Sequence, residues 1–143
     1  MFMGNCTHKL DSKGRLVLPA KWRSELGAAV VLTVGLDKCV AVYSLPAWEK
    51  YLAKLAELPF AKSDARKFTR AVMGMAEEVA LDAAGRVLLP PTLRAYAGLD
   101  ENVSVTGVGD HLEVWNAQKW GEDCEEALTQ LEALAEGVGD FGL

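Results

Sequence analysis

The chain has 143 residues, half of them apolar, and a formal charge of −5. That is ample for one hydrophobic core, while the most apolar stretch, residues 28–34, is far too short to cross a bilayer. Cys6, Cys39 and Cys124 are isolated and odd in number, which argues against a disulfide framework or a zinc site. The opening Met1-Phe2-Met3-Gly4-Asn5 lacks the charged and apolar regions of a signal peptide, so a cytoplasmic protein with reduced thiols is expected.

The charge is unevenly placed. Residues 121–143 carry seven carboxylates (Glu122, Asp123, Glu125, Glu126, Glu132, Glu136, Asp140) and no Lys or Arg; −5 less −7 leaves the first 120 residues at +2. Lys9, Lys13, Arg15, Lys21 and Arg23 face a single Asp11 over residues 9–23, and Lys62, Arg66, Lys67 and Arg70 make a second basic block around Asp64. The second block reads equally well as a solvated helix face. The acidic end reads as a solvated face too, or as a charge that turns the basic side toward nucleic acid.

In chain order, Asn5–Leu10 is predicted as a strand and Asp11-Ser12-Lys13-Gly14 as its turn. Asp can bond backbone N–H groups two residues on, and Gly can take the positive φ the turn needs. Arg15–Leu18 follows as a second strand stopped by Pro19, then a short helical turn, Ala20–Leu26, capped by Gly27 in the left-handed conformation. Val30–Val34 and Val40–Tyr43 form a hairpin around Gly35–Lys38. Ser44 then caps a helix whose Trp48, Leu52 and Leu55 make an apolar stripe, and Ser63 caps a second helix with Phe68, Val72 and Met75 inward.

From Leu81 the pattern begins again. Leu10–Gly27 and Leu81–Gly98 agree at 8 of 18 positions: Leu, Asp, Gly, Arg, Leu, Pro, Arg and Gly. Asp82 and Gly85 shape the second turn, Arg86–Leu89 is stopped by Pro90, and Thr92–Ala97 is capped by Gly98. Val103–Thr106 and Leu112–Trp115 copy the hairpin around Gly107–Asp110, Asn116 copies the Ser44 cap, and Trp120 copies Trp48. A last helix spans about residues 117–135, with a frayed glycine-rich tail. The expected division is a first repeat at 5–47, linking helices at 48–75, a second repeat at 76–119 and an acidic helix and tail at 120–143, the halves related by a pseudo-two-fold axis.

Asp11 with Arg15, and Asp82 with Arg86, have a structural reading in which the carboxylate caps the turn and the arginine pairs across it. That suffices for the aspartates. An arginine at the start of a strand just past a glycine turn is also held where its planar fork can meet a phosphate or the O6/N7 edge of guanine, and Lys13 at the turn tip suits a phosphate. Paired Asp-Gly turns in two halves also suggest an aspartic-protease dyad, but these turns are one residue longer and run into basic strands. Neither a nucleophile motif nor a phosphate loop is present, His8 and His111 stand far apart, and no enzyme is expected. Trp22, Trp48, Trp115, Trp120, Tyr43 and Tyr51 are expected to pack the core between the halves rather than stack on bases.

These stretches, with Leu58-Pro59-Phe60 and Asp64-Ala65-Arg66-Lys67-Phe68-Thr69-Arg70, resemble the bacterial MraZ family over nearly the whole chain. The resemblance implies an α+β fold: a tandem AbrB-like (SpoVT-AbrB), swapped-hairpin, double-psi-like barrel of pseudo-two-fold repeats plus packing helices. It also implies a DNA-binding transcriptional regulator of the division and cell-wall gene cluster that contains its own gene, nucleoid-associated, assembled as a ring-like homo-oligomer on short G-rich direct repeats of double-stranded DNA. No cofactor, metal, membrane or small-molecule substrate is implied. Carried over by position, Arg15 and Arg86 correspond to the DNA-contacting arginines, with Lys13 beside the first; Lys9 and Lys21 complete the candidate binding set. Two departures are visible: Ala83 and Ala84 replace polar or basic residues in the second turn, and Phe2-Met3-Gly4 lacks the usual basic residue after Phe. The competing expectation is an oligomeric interaction module that sequesters a protein partner without binding DNA.

Overall fold

A computed structural model describes residues 1–139 and 142. The first repeat comprises β1 (Phe2–Lys9), β2 (Arg15–Val17), α1 (Ala20–Leu26), β3 (Ala29–Val34) and β4 (Val40–Ser44), followed by α2 (Leu45–Ala56) and α3 (Ser63–Gly74). The second comprises β5 (Glu77–Ala80), β6 (Arg86–Leu88), α4 (Pro91–Ala97), β7 (Asn102–Gly109) and β8 (Leu112–Asn116), followed by α5 (Ala117–Thr129) and α6 (Leu131–Val138). It is a mixed α+β architecture, and among the described residues no helix is long and apolar enough to cross a membrane.

The repeats exchange strands. One antiparallel sheet runs β1-β7-β8-β4-β3-β5, and a separate ribbon pairs β2 with β6. The first strand of each repeat therefore pairs with the hairpin of the other: β1 with β7 from Phe2↔Gly109 to Lys9↔Asn102, and β5 with β3 from Ala29↔Ala80 to Leu32↔Glu77. At the centre β4 meets β8, with Val42 opposite Leu112 and Val40 opposite Val114. The two halves thus share one core. Leu16, Leu18, Val40 and Val42 from the first half and Val87, Leu89, Leu112 and Val114 from the second are all fully buried in it.

Several expectations need correction. The first strand begins at Phe2, and β7 runs on to Gly109, because each supplies the other's ladder partners over eight pairs. Gly107 permits the exchange: a Cβ there would stand 2.5 Å from Phe2 C and Met3 N. Gly98 is left-handed as expected (φ 60, ψ 38), but Gly27 is not (φ 84, ψ −163), since the chain must extend into β3. Ser63 does not cap α3. Lys62 is the flanking residue, and Arg66 Nη1 holds the turn by donating to Phe60 O (3.0 Å) and Ala61 O (2.9 Å), which commits one residue of the basic block to structure. The long last helix breaks at Gln130 (φ −114, ψ 18), where the Thr129 hydroxyl donates to Glu126 O (2.8 Å) in competition with the helical ladder. The expected tail at Asp140, Phe141 and Leu143 lies outside the described residues.

The Ser44 and Asn116 caps agree with the structure, whereas Phe68, expected inward on α3, is 38% exposed. Ser44 Oγ accepts from Ala47 N (3.3 Å) and Asn116 Oδ1 from Lys119 N (3.0 Å). Trp22 is buried edge-on to Phe2 (6.4 Å), and the equivalent pairs Tyr43–Trp48 (5.6 Å) and Trp115–Trp120 (5.8 Å) pin each C-terminal helix to its hairpin. Because neither repeat closes a core alone, Leu18→Ala and Leu89→Ala should each cost about 2–5 kcal/mol and leave a single unfolding transition in urea. Two separable transitions would show that the halves fold independently.

Candidate nucleic-acid interface

The two Asp-Gly-Arg turns have the same atomic wiring. Asp11 Oδ1 accepts from Lys13 N (2.9 Å) and Arg15 N (2.8 Å), and Oδ2 accepts from Arg15 Nε (2.6 Å). Asp82 does likewise with Ala84 N (2.9 Å), Arg86 N (2.8 Å) and Arg86 Nε (2.7 Å). Each carboxylate thus fixes its turn and grips its arginine by Nε alone. Among the described residues the Nη atoms of neither arginine have a hydrogen-bond partner. A guanidinium anchored on one edge and free on the other is set up for bidentate recognition.

Strand register places both arginines on one surface. Arg15 stands opposite Leu88, Leu16 opposite Val87, and Val17 opposite Arg86. Leu16 and Val87 are fully buried, so the alternate residues Arg15, Val17, Arg86 and Leu88 form the outer face, on which Val17 is 37% and Leu88 52% exposed. The arginines occupy diagonal positions, about 7–8 Å apart by ordinary sheet geometry.

A second arginine pair locks the turns across the repeat boundary. Gly14 and Gly85 have φ of 82° and 78°, and a Cβ on Gly14 would lie 2.6 Å from Arg94 Cζ, one on Gly85 2.4 Å from Arg23 Nε. Arg23 Nε donates to Leu18 O (2.8 Å) and Arg94 Nε to Leu89 O (3.1 Å), while Leu18 N donates to Gly85 O and Leu89 N to Gly14 O, both 3.0 Å. Each turn therefore rests on an arginine from the other half. Arg94 was not among the sequence-derived candidates, although Arg23 and Arg94 are one of the identities between the repeats.

The remaining candidates are dispersed. Lys13 is exposed at the first turn tip, where the second turn has Ala84. Lys9, at the turn end of β1, faces Glu101 at 3.8 Å with both side chains about 70% exposed. Lys21 is not with them: its Nζ lies 4.5 Å over the Trp22 ring and close to Gly4, and Gly4 is about 16 Å along the strand from Lys9.

The carboxylates are held ionised rather than primed for acid catalysis. Backbone donation from Arg15 N, with the Arg15 guanidinium and Lys13 N, lowers the Asp11 pKa to about 2, and the equivalent bonds from Arg86 and Ala84 lower that of Asp82. A shared-proton dyad would raise one of them.

Comparison with known proteins places the chain. The family described as "MraZ protein, putative antitoxin-like" matches residues 1–71 and 72–137, one copy for each repeat. The protein named transcriptional regulator MraZ in Moorella thermoacetica is 48% identical over all 143 residues of both chains. Those of the same name in Syntrophomonas wolfei and Natranaerobius thermophilus are each 43% identical over the same full span. These similarities define a transcription regulator built from two tandem repeats. The chain belongs to the MraZ family, whose name denotes a regulator and not an enzyme class.

Because the Asp11 pKa is lowered, its contribution to the turn is complete above the ordinary carboxylate value of about 3.9 and is lost as pH falls through about 2. NMR titration of the Asp11 carboxyl should therefore give a midpoint near 2. A midpoint at the ordinary value would mean that the carboxylate does not hold the turn.

Proposed function

We propose that the chain is a sequence-specific DNA-binding regulator that lays the outer face of the β2–β6 ribbon into the major groove. The observation that carries this reading is the pair of identically wired turns, each presenting an arginine with free Nη atoms on one exposed two-stranded ribbon. A major groove about 12 Å wide admits such a ribbon, and the arginine fork matches guanine O6 and N7. The diagonal spacing corresponds to roughly two base-pair steps of about 3.4 Å. The exchanged strands support the AbrB-type swapped-hairpin barrel, since each turn is braced by the opposite repeat and the ribbon approaches DNA as one rigid unit.

The proposed target is the promoter of the division and cell-wall gene cluster that contains the protein's own gene, read as short G-rich direct repeats, by a ring-like homo-oligomer. Direct repeats suit several ribbons bound side by side, because one ribbon offers only two such arginines. Within each subunit the first turn contributes more, with Lys13 and Arg15 against Arg86 alone. Lys9 supplies a flanking phosphate contact, whereas Lys21, drawn onto Trp22, contributes little.

Gel-shift titration on the DNA upstream of the gene, with unrelated competitor DNA, tests this. Arg15→Ala should cost about 1–3 kcal/mol per engaged subunit and erode discrimination between operator and scrambled DNA. Arg86→Ala should weaken both sites with less change in their ratio. Wild-type affinity should fall with salt at a log–log slope of about −0.9 for each phosphate neutralised, giving a steep total when several subunits engage. Arg15→Ala protein that binds operator at wild-type strength contradicts the assignment, and salt-independent affinity contradicts the electrostatic account.

A further inference from the structure

The arginines make up only half of the ribbon's outer face. Side chains alternate across a strand, so with Leu16 and Val87 turned into the core the outward positions are Arg15 and Val17 on β2 and Arg86 and Leu88 on β6. An antiparallel ribbon with one face on the core and the other in water ordinarily carries polar residues on the wet side. Here both repeats place an exposed apolar side chain at the equivalent position, two residues after the arginine, and neither Val17 nor Leu88 belongs to the buried core.

The register fixes what stands beside them. Leu88 is directly opposite Arg15 and Val17 directly opposite Arg86, so the face is a checkerboard of guanidinium and apolar groups. Opposed side chains have Cβ atoms about 4.5–5.5 Å apart and base pairs stack about 3.4 Å apart, so an arginine on one guanine brings its apolar neighbour over a base pair roughly one or two steps away. The Arg15 and Arg86 side chains are themselves only 32% and 35% exposed, drawn back toward their turns by the Nε bonds to Asp11 and Asp82, and do not stand so far out as to hold Val17 and Leu88 off the bases. Among the groups that base edges present in the major groove, the C5-methyl of thymine is the apolar one. Guanine, adenine and cytosine edges offer donors and acceptors that an apolar side chain would strip of water without replacing the bond.

We infer that Leu88 and Val17 are specificity-determining residues that pack on thymine C5-methyl groups, Leu88 beside the guanine met by Arg15 and Val17 beside the one met by Arg86. The inference rests on the ribbon's entry into the major groove proposed above and adds a second base to what each arginine reads. Sites of equal guanine content are then told apart by thymines about one or two base pairs from the guanine. Leu88 carries the larger share, because it is bulkier, more exposed and opposed to the arginine of the turn that also holds Lys13.

The test is a gel-shift titration of the upstream DNA against the same DNA with every thymine replaced by deoxyuridine, which removes the C5-methyl and leaves base pairing and O4 in place. Burying one methyl contributes a factor of about four, so the wild-type protein should bind the uracil DNA at least about fourfold more weakly, and more weakly still when several ribbons engage. Thymine restored one position at a time should recover affinity only within about two base pairs of a guanine whose N7 methylation blocks binding. Leu88→Ala with Val17→Ala should bind the thymine DNA more weakly than wild type does and the two DNAs equally. Both positions are exposed and outside the core, circular dichroism checks the fold, and the wild-type comparison needs no variant. Equal wild-type affinity for the two DNAs overturns the inference, as does a uracil penalty undiminished in the double variant, which would place the effect in the stiffness of the DNA. Guanine interference that persists in either case leaves the arginine reading standing, whereas a wild-type protein that does not prefer the upstream DNA to competitor overturns that reading and this one with it.

Discussion

One carboxylate gripping two backbone N–H groups and an arginine Nε, built once in each repeat, is the constraint on which the proposed interface depends. Without it the turn loses its brace and the arginine its aim. The carboxylates are ionised because they are fully engaged, which is why the same residues that look like a catalytic dyad serve as fasteners. The glycines follow from the same requirement: their positive φ and missing Cβ let Arg94 and Arg23 lie against the opposite turn. Strand exchange then makes the two turns one object, since neither can shift without moving a strand in the other half's sheet.

Charge is separated along the chain to match. A net −5 argues against nucleic-acid binding only if it is spread evenly, and here seven carboxylates sit beyond Gly121, while the ribbon and its flanks carry Lys9, Lys13, Arg15 and Arg86. Arg66 shows that such blocks are not uniform: it is spent on the carbonyls of the α2–α3 loop, and Lys67 and Arg70 remain exposed.

The two Asp-Gly turns, the strand stops at Pro19 and Pro90, the hairpins and the Ser44 and Asn116 caps were legible in the sequence because each is set by local chemistry: Asp and Gly at a turn, Pro after a strand, Ser or Asn before a helix. The exchange of strands was legible only through the family resemblance, since nothing in Phe2–Lys9 itself says which hairpin it will join. The role of Arg94 was written in an identity but needed the opposite turn to be understood. Lys21 was grouped by sequence proximity with residues from which the fold separates it. The break at Gln130 escaped notice because no Gly or Pro marks it.

The central claim is that the ribbon reads guanine through arginine in the major groove, and methylation interference addresses it most directly. Upstream DNA methylated sparsely at guanine N7 is incubated with the protein, and bound and free fractions are cleaved and compared. Certain guanines in each repeat should be missing from the bound fraction, and those positions should become indifferent to methylation with the Arg15→Ala protein. The same methylation pattern in bound and free fractions at every guanine would contradict the account.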